Sequence, residues 1–162
     1  MIEFPKRKPN RLKFYDYSSP GAYFITICTN DRKNYFWDIV GATIGRPSEI
    51  PLTKVGKIAE KAINNISVIY DNVTVDYYVI MPNHIHLLLQ IHADENGRPM
   101  VAPTVDRVVK QLKGYITKRN GKSVWQKLYH DHVVRNRKDY ERIAKYICEN
   151  PMRWKEDCFY IE

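Results

Sequence analysis

Cysteine is scarce and odd in number: Cys28, Cys148 and Cys158 are the only three in 162 residues. Three thiols cannot all pair within one chain, and their spacing matches no metal-ligand pattern. A disulfide scaffold is therefore excluded, and reduced, partly buried thiols in a cytosolic protein are the simplest account. Long hydrophobic runs are missing too. The two longest, residues 77–81 and 85–91, are too short and too polar to cross a bilayer. No apolar stretch follows the opening Met-Ile-Glu, which argues against a secretory leader and for a cytoplasmic protein. Internal repeats and low-complexity tracts are absent, so a fibrous or wholly disordered chain does not fit.

What is present is ordinary for one soluble domain: 44% hydrophobic and 27% charged residues, in a chain long enough to bury a core without staples. The charge is lopsided. Lys+Arg 26 against Asp+Glu 18 leaves a formal +8, which makes a polyanion partner reasonable, whether nucleic acid or an anionic membrane surface. Lys6, Arg7, Lys8, Arg11 and Lys13, interleaved with Phe4, Phe14, Tyr15 and Tyr17, form a basic arm over residues 1–20. It reads equally as a phosphate-contacting strap or as a frayed terminus.

Residues 21–29 (GAYFITICT) predict a strand apolar on both faces, which belongs in the middle of a sheet. Residues 30–52, with Gly41, Gly45, Pro47 and Pro51, predict a long loop. From the N-cap Thr53, Val55, Ile58, Ala59, Ala62 and Ile66 recur at helical spacing. Residues 73–81 (VTVDYYVIM) alternate as a strand, Pro82-Asn83 turns, and residues 84–91 (HIHLLLQI) return antiparallel. After a polar loop with Asn96-Gly97, a helix is expected from Thr104, with Val105, Val108, Val109, Leu112 and Ile116 on one face and Asn120-Gly121 as its stop. Residues 125–135 (WQKLYHDHVVR) predict a fourth strand. A last helix is expected from near Asn136, striped by Tyr140, Ile143, Ala144 and Ile147 and ended by Pro151. This order implies an α+β, ferredoxin-like (RRM-like) four-stranded antiparallel sheet with two covering helices and an added C-terminal helix. The domain spans 21–155, followed by a short C-terminal tail at 156–162.

The sharpest chemical pattern is His84-Ile85-His86. On a strand, residues two apart share a face, so His84, His86 and Gln90 project together while Ile85, Leu87, Leu89 and Ile91 enter the core. Two neutral imidazoles side by side suit a divalent ion, although a bare pattern of this kind more often marks two structural histidines with ordinary hydrogen bonds. His130-Asp131-His132 repeats the spacing and competes for the metal. On the last helix, Tyr146 and Asn150 are four apart and share a face, with Arg142 one turn back and Lys145 adjoining. A phenol of pKa ~10 is a poor nucleophile at neutral pH, and cations or a metal favour its phenolate. Asn150 offers a carbonyl oxygen as third ligand to a hard ion; taken alone, the pair also fits a tyrosine at the rim of the core and a helix-ending Asn-Pro. Tyr115 is the rival phenol. It stands among Lys110, Lys113, Lys118 and Arg119, a nucleic-acid-facing surface or a solvated helix face.

Together these residues resemble a known family. Met81-Pro82-Asn83-His84-Ile85-His86-Leu87-Leu88-Leu89 resembles the HUH motif (His, hydrophobic, His) of single-tyrosine insertion-sequence transposases. Trp125-Gln126, then Tyr129-His130-Asp131-His132-Val133-Val134-Arg135, then Tyr146-Ile147-Cys148-Glu149-Asn150-Pro151 resemble the REP-associated tyrosine transposases. The likeness runs from about residue 20 to 155. It implies a metal-dependent transposase that cleaves and rejoins single-stranded DNA through a covalent 5′-phosphotyrosine and recognises hairpin DNA. It implies Tyr146 as nucleophile, with His84, His86 and Asn150 holding Mg²⁺ or Mn²⁺; in the wider group the last position is often Gln. Lys6, Arg7, Lys8, Arg11, Lys110, Lys113, Lys118, Arg119 and Arg142 are the expected DNA contacts, and a homodimer is one expected form. The 37–52 loop is unlike the shortest members. A histidine-triad nucleotide hydrolase would need a third histidine where Leu88 stands, and an RNA-binding module of the same superfold would need a glycine-aromatic signature that is absent. The main alternative is a catalytically silent DNA-hairpin-binding module.

Overall fold

The computed structural model describes residues 12–38, 50–93 and 105–161. Lys6, Arg7, Lys8 and Arg11, the inner part of the 37–52 loop, Asn96-Gly97 and Thr104 lie outside the described residues. Strands β1 (Gly21–Cys28), β2 (Val73–Ile80), β3 (His84–Ile91) and β4 (His130–Val134) form one antiparallel sheet in the order β2-β3-β1-β4. The helices are α1 (Lys54–Asn64), the single turn α2 (Ile66–Ile69), α3 (Val105–Asn120) and α4 (Arg137–Glu149). The architecture is the α+β, ferredoxin-like one with an added C-terminal helix.

The doubly apolar β1 sits between β3 and β4, as its composition demands. Its Tyr23, Ile25 and Ile27 and the β3 side chains Ile85, Leu87 and Leu89 are fully buried on the face that α1 and α3 cover. Each such side chain contributes about 1.5–3 kcal/mol on burial. Thr53 caps α1 as expected, its hydroxyl accepting from Gly56 N at 3.1 Å. Gly56 is required by contact, because a Cβ there would lie 2.4 Å from the Phe36 carbonyl oxygen. Gly121, at φ +80, stops α3 with its N–H on Thr117 O at 3.0 Å.

Two sequence expectations change. The strand expected over 125–135 is confined to β4, His130–Val134. Val124 and Trp125 are both buried, which breaks the alternation, and Leu128 is exposed. Trp125 makes an isolated bridge to Thr29, while the Lys113 ammonium donates to Gln126 O at 2.7 Å and Lys127 O at 3.2 Å, holding this stretch as irregular chain. The last helix starts at its cap, Asn136, whose side chain accepts from Asp139 N at 2.9 Å. Pro151 ends the α-helical pattern without ending the turn, and residues Asn150–Glu156 continue as a 3-10 helix. That extra turn brings the tail back to the sheet.

β2 carries one extra residue between Val75 and Tyr77. Such a bulge re-aims a side chain. Here Asp76 accepts from the Tyr140 hydroxyl at 2.7 Å, tying the first turn of α4 to β2.

Candidate active site

α4 packs against β2 and β3 on the sheet face opposite α1 and α3. On that face the β3 alternation places His84 and His86, both buried. Their Nε2 atoms lie 3.0 Å apart, with ring centroids at 4.5 Å. Each ring is held from behind: His84 Nδ1 meets Asn83 Oδ1 at 2.8 Å, and His86 Nδ1 meets Thr26 Oγ1 at 2.8 Å. The Asn83 amide nitrogen donates to Arg32 O at 3.1 Å and Phe159 O at 2.7 Å, so its oxygen is the atom facing His84. An oxygen without a proton can only accept, so His84 carries its hydrogen on Nδ1 and presents a bare lone pair at Nε2. Burial holds the His84 pKa well below the usual 6.5, with His86 pushing the same way, and burial takes His86 to about 3. Both rings are neutral at pH 7, which is the metal-ligating form.

Tyr146 stands over this pair. Its hydroxyl is 3.4 Å from His86 Nε2, its ring centroid 5.3 Å from that of His86, and 40% of the residue remains exposed. Phe24 stacks on His86 at 5.2 Å and meets Tyr146 edge-on at 6.1 Å. Burial, then the Asp157 charge, raises the Tyr146 pKa above 10, and Asn150 opposes the rise. The two cations named from sequence do not relieve it. Arg142 is bound to Asp139 at 2.7 Å and Lys145 pairs with Glu149 at 3.7 Å.

Asn150 is 3% exposed, and neither of its side-chain polar atoms makes a well-formed hydrogen bond, although its amide is close enough to the Tyr146 phenol to lower that pKa. A buried amide left unmatched is costly, and a missing ligand is a common reason. One candidate ligand was not legible in the sequence. Asp157, from the tail, has a side chain only 2% exposed, and its Oδ2 lies 3.7 Å from His84 Nε2. His84, His86 and Asp157 bring ligand atoms within 4.8 Å of one another and form the one metal-competent His/Cys/Asp/Glu cluster among the described residues. The tail is fixed there by Asn83, by Phe159 against His84 at 4.6 Å, and by Phe159 N donating to Asp157 Oδ1 at 2.8 Å. Two buried neutral imidazoles, a carboxylate and an orphaned amide are a donor set that fits a divalent cation.

The chain is 31% identical over 175 residues to an uncharacterized protein of Haemophilus influenzae, covering 96% of this chain and 94% of that one. It is 26% identical over 147 residues to another Haemophilus influenzae protein, provisionally named a REP-associated tyrosine transposase, covering 85% of this chain and 74% of that one. In sequence the chain resembles the REP-associated tyrosine transposases. A solved structure of a REP-associated tyrosine transposase bound to a REP hairpin shares the fold at a TM-score of 0.61 and 20% identity, covering 95% of this chain and 74% of that one. No family model matches the chain.

Of the site residues expected from the resemblance, His84, His86 and Tyr146 come together, and Asn150 stands one helical turn on from Tyr146. The rival pair His130 and His132 shares the outer face but forms no three-ligand cluster among the described residues; His132 Nε2 instead meets Asp139 Oδ2 at 2.7 Å. Tyr115, Lys110, Lys118 and Arg119 belong to α3, on the other side of the sheet, where Arg119 covers the Tyr115 ring at 5.5 Å. Lys113 spends its ammonium on backbone carbonyls. No helix among the described residues is long and apolar enough to cross a membrane.

Proposed function

We propose that the protein is a DNA transposase whose Tyr146 cuts and rejoins single-stranded DNA beside a bound hairpin. The phenol oxygen attacks the scissile phosphorus, the bond to the 3′-oxygen breaks, and the strand is left joined to Tyr146 through its 5′-phosphate. The phenol loses a proton and the leaving 3′-oxygen gains one, and attack by another 3′-hydroxyl reverses the step. One phosphodiester replaces another, so no energy source is needed. His84, His86, Asp157 and Asn150 are the residues that would hold Mg²⁺ or Mn²⁺. When bound, the cation would supply positive charge to offset that of the phosphate oxygens in the transition state. Thr26 and Asn83 orient the imidazoles, and Phe24 and Phe159 shield them from water. The observation that carries the reading is the Tyr146 hydroxyl 3.4 Å from His86 Nε2, over two buried neutral imidazoles. The named relative and the hairpin-bound neighbour support it.

Incubation with labelled single-stranded DNA carrying a hairpin, in Mn²⁺, tests it. A covalent adduct that survives Tyr115→Phe and vanishes in Tyr146→Phe is expected. An adduct lost in Tyr115→Phe instead would move the nucleophile to α3. Binding with no adduct would favour the silent hairpin-binding module, a reading helped by the raised pKa of Tyr146.

A further inference from the structure

Among the described residues, α4 packs mainly on the β2–β3 half of the sheet's outer face and reaches the other half through Asp139 on His132 and Tyr146 against Phe24. On the other half, β1 and β4 pair Ala22 with Val134, Phe24 with His132, and Thr26 with His130. His130 and His132 are exposed there, and Ala22, Phe24 and Val134 are half-buried. Phe24 is the hinge between the two halves: it stacks on His86 on one side, touches Tyr146 edge-on, and faces His132 across to β4. The His132 imidazole is fixed by Asp139 at 2.7 Å, and the second oxygen of that carboxylate is taken by Arg142 at 2.7 Å. That carboxylate is therefore already matched by two partners, which lowers its repulsion of phosphate.

An aromatic ring half-open to solvent beside a nucleophile has a specific use. Every nucleobase has a π-face, and stacking on an aromatic side chain is the common way to hold an unpaired base. We infer that the β1–β4 half of the outer face is a stacking shelf for the unpaired base adjoining the scissile phosphate, with Phe24 as its platform and His132 as its flank. The inference rests on the transposase reading and adds the path of the strand: it leaves Tyr146 across β1 toward β4. Adjacent strands are about 5 Å apart, so the Phe24 and His132 side chains together span one base.

The test uses fluorescent hairpin oligonucleotides with randomised single-stranded flanks, from which the full-length protein selects a bound sequence. Abasic residues then replace the flank nucleotides one at a time, and anisotropy is measured in Mn²⁺. One abasic position should weaken wild-type binding about 10-fold. Phe24→Ala should bind the intact strand about 10-fold more weakly and be indifferent to that same abasic residue, with Phe24→Tyr restoring both affinity and sensitivity. His132→Ala should show a smaller loss at the same position. Loss of a ring that merely supports His86 would leave the abasic effect intact, and that outcome overturns the inference, as does a wild-type protein insensitive to every abasic flank position. Because binding is read separately from the covalent adduct, a positional stacking effect without adduct would remove the transesterase reading and keep the shelf. An adduct without a positional effect would do the reverse.

Discussion

Asn83 decides which nitrogen of His84 faces the site. Its amide nitrogen is committed to two backbone carbonyls, so its oxygen must accept from His84 Nδ1, and the lone pair is left on Nε2. A residue adjacent in sequence thus sets the chemistry of the ligand, and the same amide fastens the tail that delivers Asp157.

Replacing Asn83 with alanine should therefore weaken divalent binding. Partners that orient a ligating histidine are worth roughly 10–100-fold in metal affinity. Titration calorimetry with Mn²⁺ should show a loss in that range for Asn83→Ala, with the melting transition still cooperative. Unchanged affinity would mean the tautomer is set elsewhere.

The cysteines should separate cleanly by reactivity. Burial pushes the Cys28 thiol up to about 11, burial and Asp157 raise exposed Cys158, and Cys148 is exposed. Because the thiolate is the reactive form, alkylation of folded protein at pH 8 should label Cys148 fastest, Cys158 more slowly, and Cys28 only after denaturation. Peptide mass mapping reads this directly, and early labelling at Cys28 would contradict the buried β1 position.

Two glycines should respond in opposite directions to the same change. Gly56→Ala forces a methyl into a gap of 2.4 Å against the Phe36 carbonyl, whereas a Cβ at Gly114, exposed on α3, meets nothing within 4 Å. Overpacking costs typically 1–3 kcal/mol, roughly, while Gly→Ala on an open helix face gains up to about 1 kcal/mol. Denaturant melts should place Gly56→Ala below wild type and Gly114→Ala above it.

The strands and helices were legible because burial repeats with a period: β3 reads directly as a strand with His84 and His86 on one face and Leu87 and Leu89 on the other. Tyr146 and Asn150 were legible as a pair because a helix brings residues four apart together. The extent of β4 was not, since Lys113, thirteen residues before Gln126, holds that stretch from the side. Asp157 was not legible either. It reaches His84 only through the 3-10 turn after Pro151 and the Asn83–Phe159 bond, long-range contacts that leave no periodic trace.

Asp139 gives a pH-dependent contribution whose sign is fixed. Hydrogen bonds from Arg142, then from His132, hold its carboxyl down at about 2 from the ordinary 3.8. A depressed folded-state value stabilises the protein above the unfolded value, and that stabilisation fades as pH falls through about 2. Asp139→Asn should therefore melt below wild type at pH 6, with the two curves converging toward pH 2. A gap that stays constant across that range would assign the loss to helix capping at α4.

The proposed metal ligands can be told apart by their oxygens. Asp157 and Asn150 lie on opposite sides of Pro151 in the chain, one a charge and one a neutral amide. Asp157→Ala should cost more Mn²⁺ affinity than Asn150→Ala, because a carboxylate contributes charge as well as a lone pair. It should also remove the nearby charge that raises the Tyr146 pKa, so the metal-free phenol should titrate lower by ultraviolet difference absorbance. Should Asn150→Ala abolish Mn²⁺ binding while Asp157→Ala leaves it intact, the tail carboxylate is a neighbour of the site and the helix amide alone completes it.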